Sequence, residues 1–300
     1  MLSYTGARNL YKDLTGNDST SNLSFGDVLI NGFIRSYATF NGGKWWFLEK
    51  VTTQSTVANQ QGYTIPQSTR KIIDLYVTVG TTVYSPIAVE SAEMWKRVLQ
   101  YQLGVGDRAL FYYRQGNQVL LAPTPGSNGN TITIRTRKNV KDLSIADYTT
   151  GTVTVTSADA TVAGAGTTFT ALMEGRYLRA TTGDMEWYEI ADFTNTTSLE
   201  LVSAYAGDTV AGSAFIIGEM PILPEAYHPM PVYKAAATYW QKEGEQSRAR
   251  TLEDLALSLY DQMLQEAGEK TEGAYMMPVD SLTWRDPNIP EPDVSSSSFT

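Results

Sequence analysis

Apolar residues change their spacing repeatedly along this chain, and each change predicts a different kind of element. Ala7, Leu10 and Leu14 recur at helical steps, and Gly16 stands where a helix commonly stops. After a polar stretch from Asn17 to Asn22, Phe25, Val28, Leu29, Gly32, Phe33, Tyr37 and Phe40 repeat every three or four residues, which predicts a second helix. Ser24 would cap it, with Asp27 in its first turn, and Gly42-Gly43 would end it. Beyond those glycines the period becomes alternating. Trp45 to Thr53 and Lys71 to Val79 are rich in strand formers, the latter with Ile73, Leu75, Val77 and Val79 on one face. Tyr63 to Pro66 reads as an edge segment closed by its proline. Ser91 to Leu103 predicts a helix, Ala109 to Arg114 and Gln118 to Leu121 a hairpin about Gly116-Asn117, and Ile132-Thr-Ile134 a strand with Thr and Arg outward. The expectation for residues 1–148 is two helices, a meander-like sheet of five or six strands, and one helix across it.

From Thr149 to Gly218 the chain turns to Thr, Gly and Ala with short apolar pairs: Val153/Val155, Tyr177/Leu178, Leu199/Leu201, Phe215/Ile217. Turn signals such as Gly164-Ala-Gly166 and Thr182-Gly183-Asp184 recur between them. Six short strands at that spacing predict a small all-β sandwich or barrel over 149–218. The helical period then returns, with Tyr233, Ala236, Ala237 and Trp240 aligned, followed by Leu252, Leu255, Leu259 and Met263. A short link containing Gly244 makes these an antiparallel hairpin over 219–267. Residues 268–300 carry four prolines and a run of serines, yet also Tyr275, Met276, Met277, Leu282 and Trp284. That combination predicts an extended arm that buries its apolar residues on a partner. The fold class is α+β: a helical, bundle-like body with an antiparallel sheet, an inserted β module, and the arm.

Composition narrows the chemistry. Of the 300 residues, 42% are apolar and 18% charged, as in folded soluble proteins. No apolar run is long enough to span a bilayer, and Met1 to Lys12 lacks the order of a signal peptide, so neither membrane insertion nor classical secretion is expected. Cysteine is absent and His228 is the sole histidine, which removes thiol chemistry, cysteine-based zinc sites and two-histidine metal motifs. No phosphate loop, dinucleotide fingerprint or nucleophile elbow occurs, so no catalytic, cofactor or metal residue is assigned and no enzyme is expected. His228, in Tyr227-His228-Pro229-Met230-Pro231, where two prolines restrain the backbone at a helix entrance, reads as structural. The net charge of −9 falls on 149–218, the helical hairpin and the arm, whereas residues 1–148 are mildly basic. Arg135, Arg137, Lys138 and Lys141 form the one basic cluster, read as a solvated strand edge rather than a nucleic-acid groove. Asp184, Glu186, Glu189 and Asp192 around Trp187 and Tyr188 have the ingredients of a sugar site, but strand alternation favours a wet face over an inward Trp187. Trp45-Trp46-Phe47 could stack bases or sugars, and its apolar flanks favour a packed role.

Several stretches together carry a resemblance. Phe25 to Arg35, Trp45 to Lys50, Tyr63 to Pro66, Lys71 to Val77, Val89 to Trp95, Leu120 to Pro125 and Leu223 to Tyr233 are similar, in order and spacing, to the head-to-tail adaptor (connector) proteins of tailed bacteriophages. Gly151 to Thr156 and Gly164 to Thr170 are similar to a small β module inserted in phage virion proteins, which short adaptors lack. The resemblance implies a non-enzymatic virion protein of the neck, made in the host bacterial cytoplasm. It implies a ring, usually of twelve copies, between the portal protein and the tail tube or nozzle, through which double-stranded DNA passes without specific binding. It also implies a carboxyl-terminal segment that docks on the portal, which makes Tyr275, Met276, Met277, Leu282 and Trp284 the expected portal or neighbour-subunit contacts. The acidic 149–218 module is expected to project outward, where it could meet tail fibres. A rival reading makes the protein a glycan- or receptor-binding tail protein that uses this module, and another a single-stranded DNA binder.

Overall fold

A computed structural model describes residues 1–101 and 103–272. In chain order it runs α1 (Tyr4–Thr15), α2 (Thr20–Thr39), β1 (Glu49–Ser55), β2 (Gly62–Thr64), β3 (Thr69–Val79), β4 (Thr82–Tyr84), β5 (Ile87–Val89), α3 (Ala92–Gln100), β6 (Phe111–Gln115), β7 (Gln118–Ala122) and β8 (Thr131–Lys138). Seven strands follow: β9 (Thr152–Val155), β10 (Thr161–Ala165), β11 (Tyr177–Ala180), β12 (Tyr188–Asn195), β13 (Ser198–Leu201), β14 (Val210–Ser213) and β15 (Phe215–Gly218). Helices α4 (Pro229–Lys242) and α5 (Gln246–Glu272) close the described chain. The class is α+β, as the sequence predicts.

Two of the expected helices start or face differently. Ser19, not Ser24, caps α2, because its hydroxyl accepts the Asn22 N–H at 3.3 Å. The buried row of α2 is Asn22, Gly26, Ile30, Ile34 and Ala38 at steps of four, while Val28 and Phe40 point to solvent. Small residues let neighbours approach closely. A Cβ at Gly26 would sit 2.5 Å from the Tyr11 ring of α1. In α5, Ala256 and Met263 face inward and Leu255 faces out. Trp45 to Leu48 is not strand: a 3-10 turn at Trp46–Leu48 precedes β1 and folds the aromatic side chains under α5.

The predicted meander is instead two stacked four-stranded sheets, ordered β1-β8-β3-β4 and β2-β7-β6-β5, the second containing a parallel β5–β6 pair. Leu75, Val77, Ile132 and Ile134 of the first sheet meet Val119 and Leu121 of the second. Helix α3 covers the other face of that second sheet with Trp95 and Val98 on Val89 and Ala122. Strand β7 therefore lies between two apolar layers, which is why Val119 to Ala122 is an unbroken apolar run. A bulge between Ile72 and Asp74 turns Ile72 inward in place of the expected Ile73. Strand β8 is central, so Thr133 and Thr136 are buried rather than outward.

Strands β9 to β15 make one curved, half-barrel sheet in the order β14-β9-β10-β13-β12-β11-β15, seven strands where six were expected. Val153, Val155, Val162, Leu178, Ile190, Leu199, Phe215 and Ile217 build its own core. Each fully buried side chain of this kind contributes about 1.5–3 kcal/mol. At Gly151, whose φ is 90°, a Cβ would meet the Ala165 carbonyl oxygen at 2.6 Å, so only glycine fits where the chain enters the sheet.

The helical layer centres on α4, flanked by α1, α2 and α5. Ala7, Tyr11, Ile30, Ile34, Val232, Ala235 and Ala236 form one core, and Ala38, Trp45, Leu223, Met230, Ala256 and Met263 another. Helices α4 and α5 are antiparallel, as the pairings Lys234–Glu253 and Tyr227–Glu266 require. Helix α5 runs through Gly268 to Glu272, so the first residues of the expected arm are helical.

Candidate functional site: junction, cleft and exposed apolar face

The half-barrel sheet joins the helices through a polar knot. At its root Tyr148 and Ile217 exchange both backbone hydrogen bonds at 2.9 Å. Just outside, the buried carboxylate of Glu219 accepts the N–H groups of Ser144 (2.7 Å) and Ile145 (3.0 Å) and pairs with Lys141 at 2.8 Å. Burial pushes that carboxyl up, but Lys141 and the two backbone donors outweigh it and hold it below the usual carboxylate range. The start of α1 is tied into the same knot: Tyr4 N–H donates to the Glu219 carbonyl (2.8 Å), and the Ser3 hydroxyl to Asp147 (2.6 Å).

His228 is structural, as the sequence reading has it. It is 3% exposed, its Nδ1 accepts the Leu2 N–H at 3.0 Å, and its Nε2 lies 2.9 Å from the Leu223 carbonyl. That pattern requires a proton on Nε2 alone, and burial pushes the pKa down from its ordinary value. Asn31 plays a comparable clamping role, with Nδ2 and Oδ1 of one amide both on the backbone of Leu143 at 2.9 Å. Neither clamp has a periodic signature in sequence.

Beside the knot lies a cleft of about 400 Å³, lined among others by Trp46, Phe47, Arg176, Tyr177, Ile222 and Leu223. It has no counterpart in the sequence analysis, because its walls come from six separate stretches of the chain, from Met1 to His228.

The other sequence candidates fare unevenly. Trp45 is buried, with its indole N–H on the Tyr37 carbonyl at 3.0 Å, and Trp46 and Phe47 pack around it. The packed role therefore holds. In the acidic cluster the inward residues are Tyr188 and Ile190, not Trp187, which instead lies under the Arg179 guanidinium at 4.9 Å. The carboxylate of Asp184 is taken up by the Tyr188 hydroxyl and the Glu186 N–H, whereas Glu186, Glu189 and Asp192 are exposed. Arg135 and Arg137 lie on a central strand rather than an edge, and both pair with Glu49, at 2.6 and 3.8 Å. Tyr275, Met276, Met277, Leu282 and Trp284 lie outside the described residues. Among the described residues no acidic or histidine cluster could hold a metal, and no helix is long and apolar enough to cross a membrane.

Several large apolar side chains are exposed in one region of the chain. Around α3 and the sheet beneath it, Ile87, Met94, Leu99, Tyr101 and Val105 are all exposed, Tyr101 to 77%.

The model of one protein family, described as SU10 adaptor protein, matches residues 7–166, more than half of the 300. The chain belongs to that family. No curated protein matches it. The SU10 adaptor match spans both stacked sheets, α1 to α3, and the strands β9 and β10, and it ends inside the half-barrel sheet. Membership makes the SU10 adaptor chain a structural protein of a phage particle, and implies portal and tail components as partners and the virion neck as its place.

Proposed function

We propose that the protein is a head-to-tail adaptor that assembles as a closed ring below the portal, extends the DNA channel and joins the tail. The observation that carries this is the family match over residues 7–166. The exposed apolar side chains around α3 add to it. Cyclic assembly needs a heterologous interface in which one patch meets a different patch of the next copy, and Ile87, Met94, Leu99 and Tyr101 are apolar side chains available to it. Twelve copies, portal contact by Tyr275, Met276, Met277, Leu282 and Trp284, and an outward role for 149–218 as a separate module belong to the same reading. The acidic balance suits a channel that must pass DNA without holding it, since tight binding needs clustered, unpaired Lys and Arg. Here Arg135 and Arg137 share the single carboxylate of Glu49, which offsets part of their charge.

Light scattering of the purified chain, alone and with the portal protein, tests the proposal. The expected result is a small species that joins portal in a ring-sized complex, and fails to do so when residues 273–300 are removed. Indifference to portal, or a stable trimer, would overturn it.

A further inference from the structure

One long strand edge is open. The other edges of the three sheets are short or interrupted: β2, β4 and β5 have three residues each, β14 pairs irregularly with β9, and β15 meets Tyr148 at Ile217. Where β3 runs past β4 it is bulged, and the Arg114 guanidinium caps its Thr69 and Arg70 carbonyls at 2.7 and 2.9 Å. Edge strand β1 has none of these devices, since its seven residues contain no proline and pair with β8 in unbroken register. Both ends of the ladder show which groups face outward. The Thr56 N–H donates to the Asn130 carbonyl at 2.7 Å, toward β8, whereas the Glu49 N–H donates to the Trp46 carbonyl, away from it. Antiparallel pairing alternates, so Thr52 and Gln54 bond to β8, and the N–H and C=O groups of Val51, Thr53 and Ser55 point outward. Among the described residues none of those backbone groups has a hydrogen-bond partner. Beside β1 lies a groove of about 390 Å³, lined by Thr52, Thr53 and Gln54 on one side and by Thr64 to Gln67 and Asn117 on the other. Thr53 faces opposite to its neighbours, so a groove that touches all three follows the strand's edge rather than one of its faces. Its lining carries no charge, which suits a polypeptide backbone.

The position of the chain's exit names an occupant. Met263 and Ala267, near the end of α5, share one apolar cluster with Trp46 and Phe47, which lead directly into β1. Residues 273–278 reach about 20 Å when extended, and β1 is about as long, so the residues that follow can lie along it. Val279 to Asp286 is free of proline and long enough for the edge, and in a strand Leu282 and Trp284 share one face with Ser281, Thr283 and Arg285 on the other. The other run of that length, Asp293 to Thr300, has four consecutive serines in place of such alternation. We propose that residues 279–286 of the same chain add to sheet β1-β8-β3-β4 as a further strand, bonded to the outward groups of Val51, Thr53 and Ser55, with Leu282 and Trp284 turned to the groove at Ile65 and Pro66. The proposal stands on the open edge and on the exit of α5. Only its consequence rests on the adaptor reading: Leu282 and Trp284 held at β1 are kept from the portal until portal binding draws the segment away.

Residue-resolved amide hydrogen exchange on the full chain tests this, because the alternation of β1 supplies its own control. The amides of Thr52 and Gln54 are bonded to β8 whether or not a strand is added, whereas those of Val51, Thr53 and Ser55 are protected only if one is. All five should be slow in the wild type. Thr283→Pro, and independently Ser281→Pro, removes a ladder donor outside the described body, so each should speed exchange at Val51, Thr53 and Ser55 at least about tenfold and leave Thr52 and Gln54 unmoved. Fast exchange at the three outward amides in the wild type would overturn the proposal. So would protection that survives both proline variants, or protection that appears only as protein concentration rises, which would assign the edge to a second copy. Portal assembly is read separately by light scattering. Unprotected β1 amides in a chain that still joins portal would remove this inference and leave the adaptor reading standing, and protected amides in a chain indifferent to portal would do the reverse.

Discussion

At the scale of single residues, Gly26 against Tyr11 is a tight steric constraint inside the helical layer. Gly26→Ala should gain about 1 kcal/mol of helix propensity and lose more by forcing a methyl to 2.5 Å from a fully buried ring. The net expectation is destabilisation by about 1–2 kcal/mol, read as a lower urea midpoint with unchanged slope. His228 makes a pH prediction with a definite sign. Its folded pKa lies below the ordinary value, so the unfolded chain takes up a proton first as pH falls. The stability it contributes is complete above about pH 6.5 and declines as pH drops from there toward the folded pKa. Since the chain has no other histidine, unfolding free energy measured between pH 7.5 and 5.5 should fall in the wild type and flatten in His228→Asn. Equal slopes would assign the loss elsewhere. Glu219 acts at lower pH. Its depressed pKa means that its contribution persists above the ordinary carboxylate range and is lost as pH falls through the folded value, so Glu219→Gln should remove part of the acid sensitivity below about pH 4.5.

Elements show where periodicity informs and where it misleads. On α5, Leu255→Ala should change stability by less than about 0.5 kcal/mol because Leu255 faces solvent. Ala256→Leu, one residue on, should cost about 1–3 kcal/mol by overpacking a site with no exposed surface. Paired denaturation curves would decide this, and the reverse ranking would mean that the helix is rotated. The sequence pattern favours Leu255 because it weighs residues by hydrophobicity. Helices that pack closely select small residues, as Gly26, Ala38, Ala235, Ala236 and Ala256 show. The hairpin at Gly116-Asn117, the cap at Ser91 and the edge position of β2 are legible because turn and cap chemistry is local. The stacking of two sheets is not, since β1 pairs with β8 some eighty residues later and alternation says nothing about partners. The cleft was equally hidden: Trp46, Arg176 and Leu223 have no relation in sequence that spacing could reveal.

At the scale of the whole molecule, the half-barrel sheet and the helical layer have separate cores joined by the knot at Glu219 and Asp147. Phe215→Ala should cost about 3–5 kcal/mol. In native-state hydrogen exchange the loss should fall on amides of β9 to β15, while those of α1, α2 and α4 keep their protection. Uniform loss across both would show a single cooperative unit. The paired ends of the sheet, Tyr148 and Ile217, also bear on the order in which the chain finds its fold. Leu143 must meet α2 on one side of the excursion, and α4 must meet α2 on the other. Once the strands between have closed on themselves, the span that α4 must search shrinks from about eighty-five residues to some fifteen, a saving of about 1.5 kcal/mol in closure entropy. A chain built this way gains by assembling its middle first, and the bundle then forms as though the seven strands were a short loop.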